Sequence, residues 1–487
     1  MQGRHVIHAY ALALALQAPY VVRPTMRGAT SSDFQKLLAL AWPIVLARAT
    51  QSVVGFTDAL MVSPLGENAL AGVTAGALNT FALIVLPSGT VFILQSFAAQ
   101  LRGRGDLAGV RRYAFYGLAI AAAAGLVAAA AIPALPSVLA YLDYSPEVRE
   151  VMATFMAIRL LSVGPVVANE ALGNWYGGLG NTRVAMITGT ITMIANVALN
   201  YLLIEPRFGL PGWGVVGSGM ATVIASTLGF LVTAFMFFRG VGLESEVRAA
   251  THRTRVDLKM SELVRVLRFG LPNGVNWFLE FAAFILFIDL VVAHLGTTVI
   301  ASFNVVMQIN SISFMPAFGI ASAGAILVAE KLGGRVVDDV PRLVKLTAKV
   351  ACGWMGAVAL LYFVAPSRLL GLFLPRGETT GPLVVVGTTM LMMSTMWQLF
   401  DGVGMTISEA LRAAGDTTWP MLARIVLAWA VFTPVSYVLV MKFGGGVTVV
   451  MSCMIGYLVL IASAMAFRFQ QGRWRTIELI EPELVDA

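Results

Sequence analysis

The sequence predicts an all-α membrane protein, twelve transmembrane helices in two pseudo-symmetric six-helix bundles, and three observations carry that prediction. Of the 487 residues, 58% are hydrophobic and only 12% charged, with a mean hydropathy of +0.81, whereas a soluble domain carries about 25% charged residues. Apolar stretches of about 20 or more residues, the length that crosses a bilayer as a helix, recur along the chain. Landmarks of the first half return in the second at offsets of roughly 230 residues, the mark of a duplicated unit.

Taken in order, the predicted spans are 37–62, 69–99, 113–140, 150–174, 184–204 and 214–238 in the first half. Those of the second are 269–294, 297–329, 350–373, 380–407, 418–441 and 447–467. Trp42-Pro43 and Pro64-Leu65-Gly66 frame the first span as Leu271-Pro272 and His294-Leu295-Gly296 frame the seventh. Span two ends in Ala99-Gln100-Leu101-Arg102-Gly103 and span eight in Ala329-Glu330-Lys331-Leu332-Gly333, with Pro87 and Pro316 as counterparts inside them. Gly180-Asn181-Thr182 after span four returns as Gly415-Asp416-Thr417 after span ten. Runs of small residues such as Ala121 to Ala131 and Gly212 to Gly219 let helices approach closely in lipid. Prolines 43, 87, 165, 272, 316 and 434 fall inside spans and permit bends.

Because six is even, both halves start on the same side, which makes the repeat parallel. The expected organisation is an N-terminal extension at 1–31, disordered, an N-lobe at 32–238, a cytoplasmic linker at 239–268, a C-lobe at 269–475 and a cytoplasmic tail at 476–487. The run Ala9 to Ala18 looks like the core of a signal peptide, but it is short, and a cleaved signal does not suit a cytoplasmic N-terminus.

The net charge of +7 reads as topology rather than nucleic-acid binding. With the first span entering from the cytoplasm, only Arg149, Arg207, Arg368, Arg376 and Lys442 of the 33 Lys and Arg fall outside, while Arg48, Arg159 and Arg424 lie within spans. This positive-inside bias places both termini in the cytoplasm of a bacterial-type inner membrane. The partners expected are a small-molecule substrate and membrane lipid, with no nucleic acid, for a monomer. No cofactor is expected: Cys352 and Cys453 sit within spans as packing residues without His or Cys at ligand spacing, and nothing in the spans resembles a catalytic constellation.

Carboxylates inside the spans are the functional candidates, since each costs at least ~2.5 kcal/mol to bury in the bilayer centre without a partner, a proton or water. Glu280 lies 12 residues after Arg268, and Asp401 lies 11 before Arg412. At 1.5 Å per residue both sit roughly 16 to 18 Å from the basic side, so they share a depth and can line one cavity. Two acids in one low-dielectric space repel unless a cation lies between them. Asp58 lies roughly 12 Å below the outer end of its span, with Asn196, Asn200 and Thr222 at neighbouring depths. One carboxylate with amide and hydroxyl oxygens suits a small hard cation or a protonated acid. Trp277, Phe281, Phe314, Met315, Met396, Trp397 and Phe400 are of the kinds that line promiscuous cavities. Glu409 and Arg412 stand at helical pairing distance.

Several runs resemble the multidrug and toxic compound extrusion family: Phe56-Thr57-Asp58, Asn196 to Tyr201, Gly214 to Thr222, Phe269 to Pro272 and Ala410 to Thr417. The resemblance extends from about Ser32 to Arg475 and is nearest to the NorM-type branch, because Asp58, Glu280 and Asp401 stand where that branch has its membrane carboxylates. It implies antiport, with Na⁺ or H⁺ entering as an amphipathic, often cationic drug-like molecule leaves. Where related transporters have a second acid in span five, this chain has Asn200, which leaves Asp58 with neutral oxygen partners. A lipid-linked saccharide flippase of similar architecture is the alternative, and it predicts a cavity rich in Arg and Lys for phosphate.

Overall fold

The structure, a computed structural model, describes residues 29–207, 209, 211–253, 256–373 and 381–480. Most of the predicted N-terminal extension and the end of the tail lie outside the described residues. Among the described residues, twelve helices are long and apolar enough to cross a membrane: α1 Ser32–Leu65, α2 Glu67–Arg104, α3 Val110–Leu139, α4 Pro146–Gly178, α5 Arg183–Leu203 and α6 Gly214–Arg239 in the first half. The second half supplies α7 Met260–Leu295, α8 Thr297–Gly333, α9 Val337–Val364, α10 Pro382–Ala413, α11 Thr418–Met441 and α12 Val447–Gln470. The chain divides into two compact units, with the boundary between Leu267 and Arg268.

Helices dominate because lipid offers no partner for backbone N–H and C=O groups, which must bond within their own segment. The duplication is written in the turns. Ser63–Leu65 forms a 3₁₀ turn closed by Gly66 at φ 106°, and Ala293–Leu295 forms another closed by Gly296 at φ 100°. Gly180 and Gly415 reach φ 85° and 88° after α4 and α10. These are conformations that a Cβ disfavours, so the repeated glycines fix the repeated turns.

The paired prolines do not act alike. Shortly after Pro87, α2 tightens: the Gln95 and Ser96 amides bond back three residues, to Phe92 O at 3.3 Å and Ile93 O at 2.9 Å. Pro316 lies within a helix that runs unbroken from Thr297 to Gly333. In α11 the backbone widens to a π-helical stretch over Val426–Phe432, just before Pro434, which has no N–H to donate and crowds the preceding turn. A shorter π turn, Ile288–Val292, lies in α7.

In the first unit Val62, Val73, Phe155 and Ile204 form a packed cluster. Arg102 donates to the Leu179 carbonyl at 2.8 Å, Trp175 to Val110 O at 2.9 Å and Asn181 to Gly242 O at 2.6 Å, tying the ends of α2, α3, α4 and α6. In the second unit a core forms around Phe287, Phe303, Met390, Leu391, Trp397, Phe432 and Met451. At the position matching Asn181, Asp416 there pairs with Arg468 at 2.6 and 3.2 Å. The spacing that predicts a Glu409–Arg412 pair is met at 2.6 Å.

Close helix approach depends on glycine at a few contacts. A Cβ on Gly178 would run into the Gln95 carbonyl oxygen, the Ala98 methyl and the Ala99 amide, most of it backbone that cannot yield. Gly178→Ala is therefore expected to destabilise by about 1–3 kcal/mol, the usual cost of overpacking. The check is a lower unfolding midpoint of the detergent-purified protein, while Gly353→Ala, where a Cβ meets nothing within 4 Å, should unfold like the parent.

Candidate functional site

In the second unit, α7, α10, α11 and α12 bring four ionisable groups together. Asn276 and Glu280 are one helical turn apart on a single face of α7, and Asp401 and Ser408 are two turns apart on one face of α10. Into this group α11 projects Arg424. Its Nη1 donates to both oxygens of Glu280, at 2.8 and 2.9 Å, and its Nη2 donates to Ser408 Oγ at 3.2 Å. Asp401 interacts electrostatically with the same guanidinium and with Glu280, as does Tyr457 of α12. Among the described residues, Asp401 accepts no hydrogen bond.

Glu280 and Arg424 also line a small crevice with Asn276, Leu279, Ile425, Ala428 and Trp429, with about 150 Å³ of empty space including open solvent. Two buried polar atoms in it have no partner among the described residues: Oδ1 of Asn276 and Nε of Arg424. Trp429, in the widened part of α11, donates Nε1 to Leu279 O at 3.2 Å, and Phe287 of α7 stacks obliquely on Phe432 at 4.6 Å. These contacts hold α11 against α7 beside the Glu280–Arg424 pair.

Of the two acids expected to line one cavity, Glu280 is paired with Arg424 and lines the crevice, whereas Asp401 interacts electrostatically with both and is not among the crevice's lining residues. In the sequence, Arg424 is legible only as an in-span charge. The aromatic candidates separate. Trp277, half-buried, meets Phe318 edge-on at 6.3 Å, and Phe314 stacks on Phe318 at 6.3 Å. Phe281 and Met315 are half-buried nearby in sequence, and Met396 and Phe400 are exposed. Trp397 departs from the expectation: at 4% exposure it belongs to the hydrophobic core with Phe287, Met390 and Met454, because its position on α10 faces inward, one residue from exposed Met396.

In the first unit, Asp58, Asn196, Asn200 and Thr222 come together as their depths predict. Asn200 donates to Asp58 Oδ1 at 2.6 Å and to Asn196 Oδ1 at 3.2 Å, and Asn196 donates to Thr222 Oγ1 at 3.2 Å. The neutral surroundings expected for Asp58 are not found. Arg159 of α4 donates Nη1 to Asp58 Oδ2 at 3.2 Å and to Thr222 at 3.3 Å, so the carboxylate already holds a counter-charge. Arg48 is likewise committed, to Glu170 at 3.1 and 3.4 Å, with Gln51 donating to the same acid at 2.7 Å. No group of three or more His, Cys, Asp or Glu that could hold a metal ion is present among the described residues.

The model of the MatE family matches residues 43–202 and 272–438, one stretch in each half. A probable multidrug resistance protein NorM of Pseudomonas putida is 27% identical over 461 residues, covering 93% of this chain and 97% of that protein. Multidrug resistance protein NorM of Aliivibrio fischeri is 26% identical over 415 residues, covering 84% and 87%. Among solved structures, a MOP superfamily transporter from Pyrococcus furiosus superposes with a TM-score of 0.80 at 19% identity, over 91% of this chain and 97% of that one. An outward-facing multidrug resistance MATE family transporter gives 0.79 at 18% identity, over 92% and 97%. With both halves matched by the family model and the twelve-helix fold shared with these transporters, the chain belongs to the MatE family, the multidrug and toxic compound extrusion family that its sequence resembles.

Proposed function

We propose that this protein is a cation-coupled antiporter of a bacterial-type inner membrane, with both termini cytoplasmic, exporting amphipathic, cationic drug-like molecules in exchange for Na⁺ or H⁺. One observation carries the reading: Asp401, inside a membrane-length helix, interacts with a Glu280–Arg424 pair that holds Glu280 and leaves Asp401 without a hydrogen-bond donor. An inorganic cation or proton, or the positive group of a substrate, satisfies that carboxylate, and the two exclude each other. Each then stabilises a different access state, which is the thermodynamic requirement for exchange. The names of the relatives support a drug-like substrate. The positive-inside distribution of Lys and Arg supports the orientation.

The flippase reading needs guanidinium or ammonium groups free for a lipid phosphate. Arg48, Arg159 and Arg424 are each engaged by a carboxylate, which counts against it. The deciding measurement is uptake of radiolabelled ethidium into everted vesicles, whose outer face is the cytoplasmic one, with Na⁺ and pH gradients imposed separately. Transport that follows one of the gradients and collapses when it is dissipated is expected; transport indifferent to both refutes antiport.

A further inference from the structure

We propose that Arg424 is a built-in counter-ion that permanently occupies one of the two carboxylates of the second unit, so that the unit binds one exchangeable positive charge rather than two. This rests on the antiport reading and specifies its stoichiometry.

The charges deep in the spans balance in one unit and not in the other. In the first unit Asp58 is matched by Arg159 and Glu170 by Arg48, so the deep charges cancel. In the second unit Glu280 and Asp401 face Arg424 alone, which leaves one negative charge over. An unpaired carboxylate at that depth is costly to hold in the bilayer, so one further positive charge is demanded and a second is not. The geometry fixes which acid is held. Both oxygens of Glu280 take the same Nη1, at 2.8 and 2.9 Å, while Nη2 is spent on Ser408. Asp401 receives neither and is the acid open to exchange.

The crevice beside the pair favours neither sign of charge: Asn276 Oδ1 and Arg424 Nε both line it, and among the described residues the one has no donor and the other no acceptor. Tyr457, the remaining ionisable group facing the guanidinium, is uncharged as a phenol and does not alter the balance. Arg424 acts on Asp401 through charge, as a positioning residue.

The test counts cations displaced by substrate. On full-length protein purified in detergent, the apparent Kd is measured for ethidium, a monocation, and for methyl viologen, a dication, against Na⁺ concentration at fixed pH and against pH at fixed Na⁺. The limiting slope of log Kd against log cation concentration equals the number released per probe molecule bound. With ethidium the expected slope for the parent is 1; with methyl viologen it is 1 for the parent and for Arg424→Lys, where one cation is there to be displaced, and 2 for Arg424→Gln. With methyl viologen a parent slope of 2, or an Arg424→Gln slope still at 1, overturns the proposal. Should Arg424→Gln fail to fold, Glu280→Gln/Arg424→Gln decides: removing the pair together leaves Asp401 alone and keeps the slope at 1, whereas a slope of 0 shows that Glu280 carried the exchangeable charge. A parent slope of 0 for both cations instead overturns the antiport reading itself, whatever the variants do.

Discussion

Asp401→Asn is expected to abolish gradient-driven efflux of ethidium while leaving the protein folded in the membrane. The substitution keeps the shape of the side chain and removes the carboxylate of this group that no arginine hydrogen-bonds. The Glu280–Arg424 pair is then charge-balanced by itself, and the site no longer requires a cation to reach neutrality. Coupling between two ligands is typically worth ~1–3 kcal/mol, a 5- to 150-fold effect on affinity, so the cation dependence of ethidium binding should fall by at least the lower figure and the slope should approach 0. Glu280→Gln should give the same loss by a different route: Arg424, released from Glu280, becomes available to Asp401 and neutralises it. Full coupled efflux in Asp401→Asn would assign the exchangeable charge elsewhere and remove the basis of the mechanism. Membrane-fraction abundance and the unfolding midpoint serve as controls, since neither substitution strands a buried charge.

The pairings show how far the amino-acid sequence by itself discloses this site. The spans are legible because a run of about 20 apolar residues has few other uses, and the duplication because glycines at Gly66 and Gly296 must recur wherever the same turn recurs. The meeting of Asp58 with Asn196, Asn200 and Thr222, and of Glu280 with Asp401, follows from depth, which residue counts along a helix measure directly. Rotation about the helix axis is not measured that way. Trp397 and Met396 are neighbours in sequence, yet one is core and the other is exposed, a difference that sequence spacing in an almost uniformly apolar helix does not resolve. The in-span arginines are visible as charges in need of partners, but depth alone does not say which acid each takes. Long side chains widen that ambiguity. A side chain leans toward the N-terminus of its helix, so Arg159, well inside α4, reaches back toward the Pro146 end, where Asp58 lies. That direction is a signal the sequence contains, and it points to an ion pair at Asp58 in place of neutral surroundings.

Arg159→Ala should accordingly be among the most damaging single changes to stability. It strips the counter-charge from Asp58, which is only 4% exposed and has two remaining donors, Asn200 at 2.6 Å and Thr222 at 3.4 Å. Breaking a buried pair by removing one partner costs about 3–5 kcal/mol, because the other charge stays behind in a low-dielectric surround. The expected result is a much lower unfolding midpoint in detergent and reduced protein in the membrane. Removing both charges, as Asp58→Asn/Arg159→Gln, should recover most of that loss, since neutral amides can keep the hydrogen bonds to Asn200 and Thr222 without an uncompensated charge. The double variant also separates the two units functionally. If the Asp58–Arg159 pair is a closed clasp, ethidium binding in that variant keeps the cation slope of the parent. If the slope falls to 0, Asp58 exchanges its arginine for the coupling cation during transport, and the working acid lies in the first unit rather than the second.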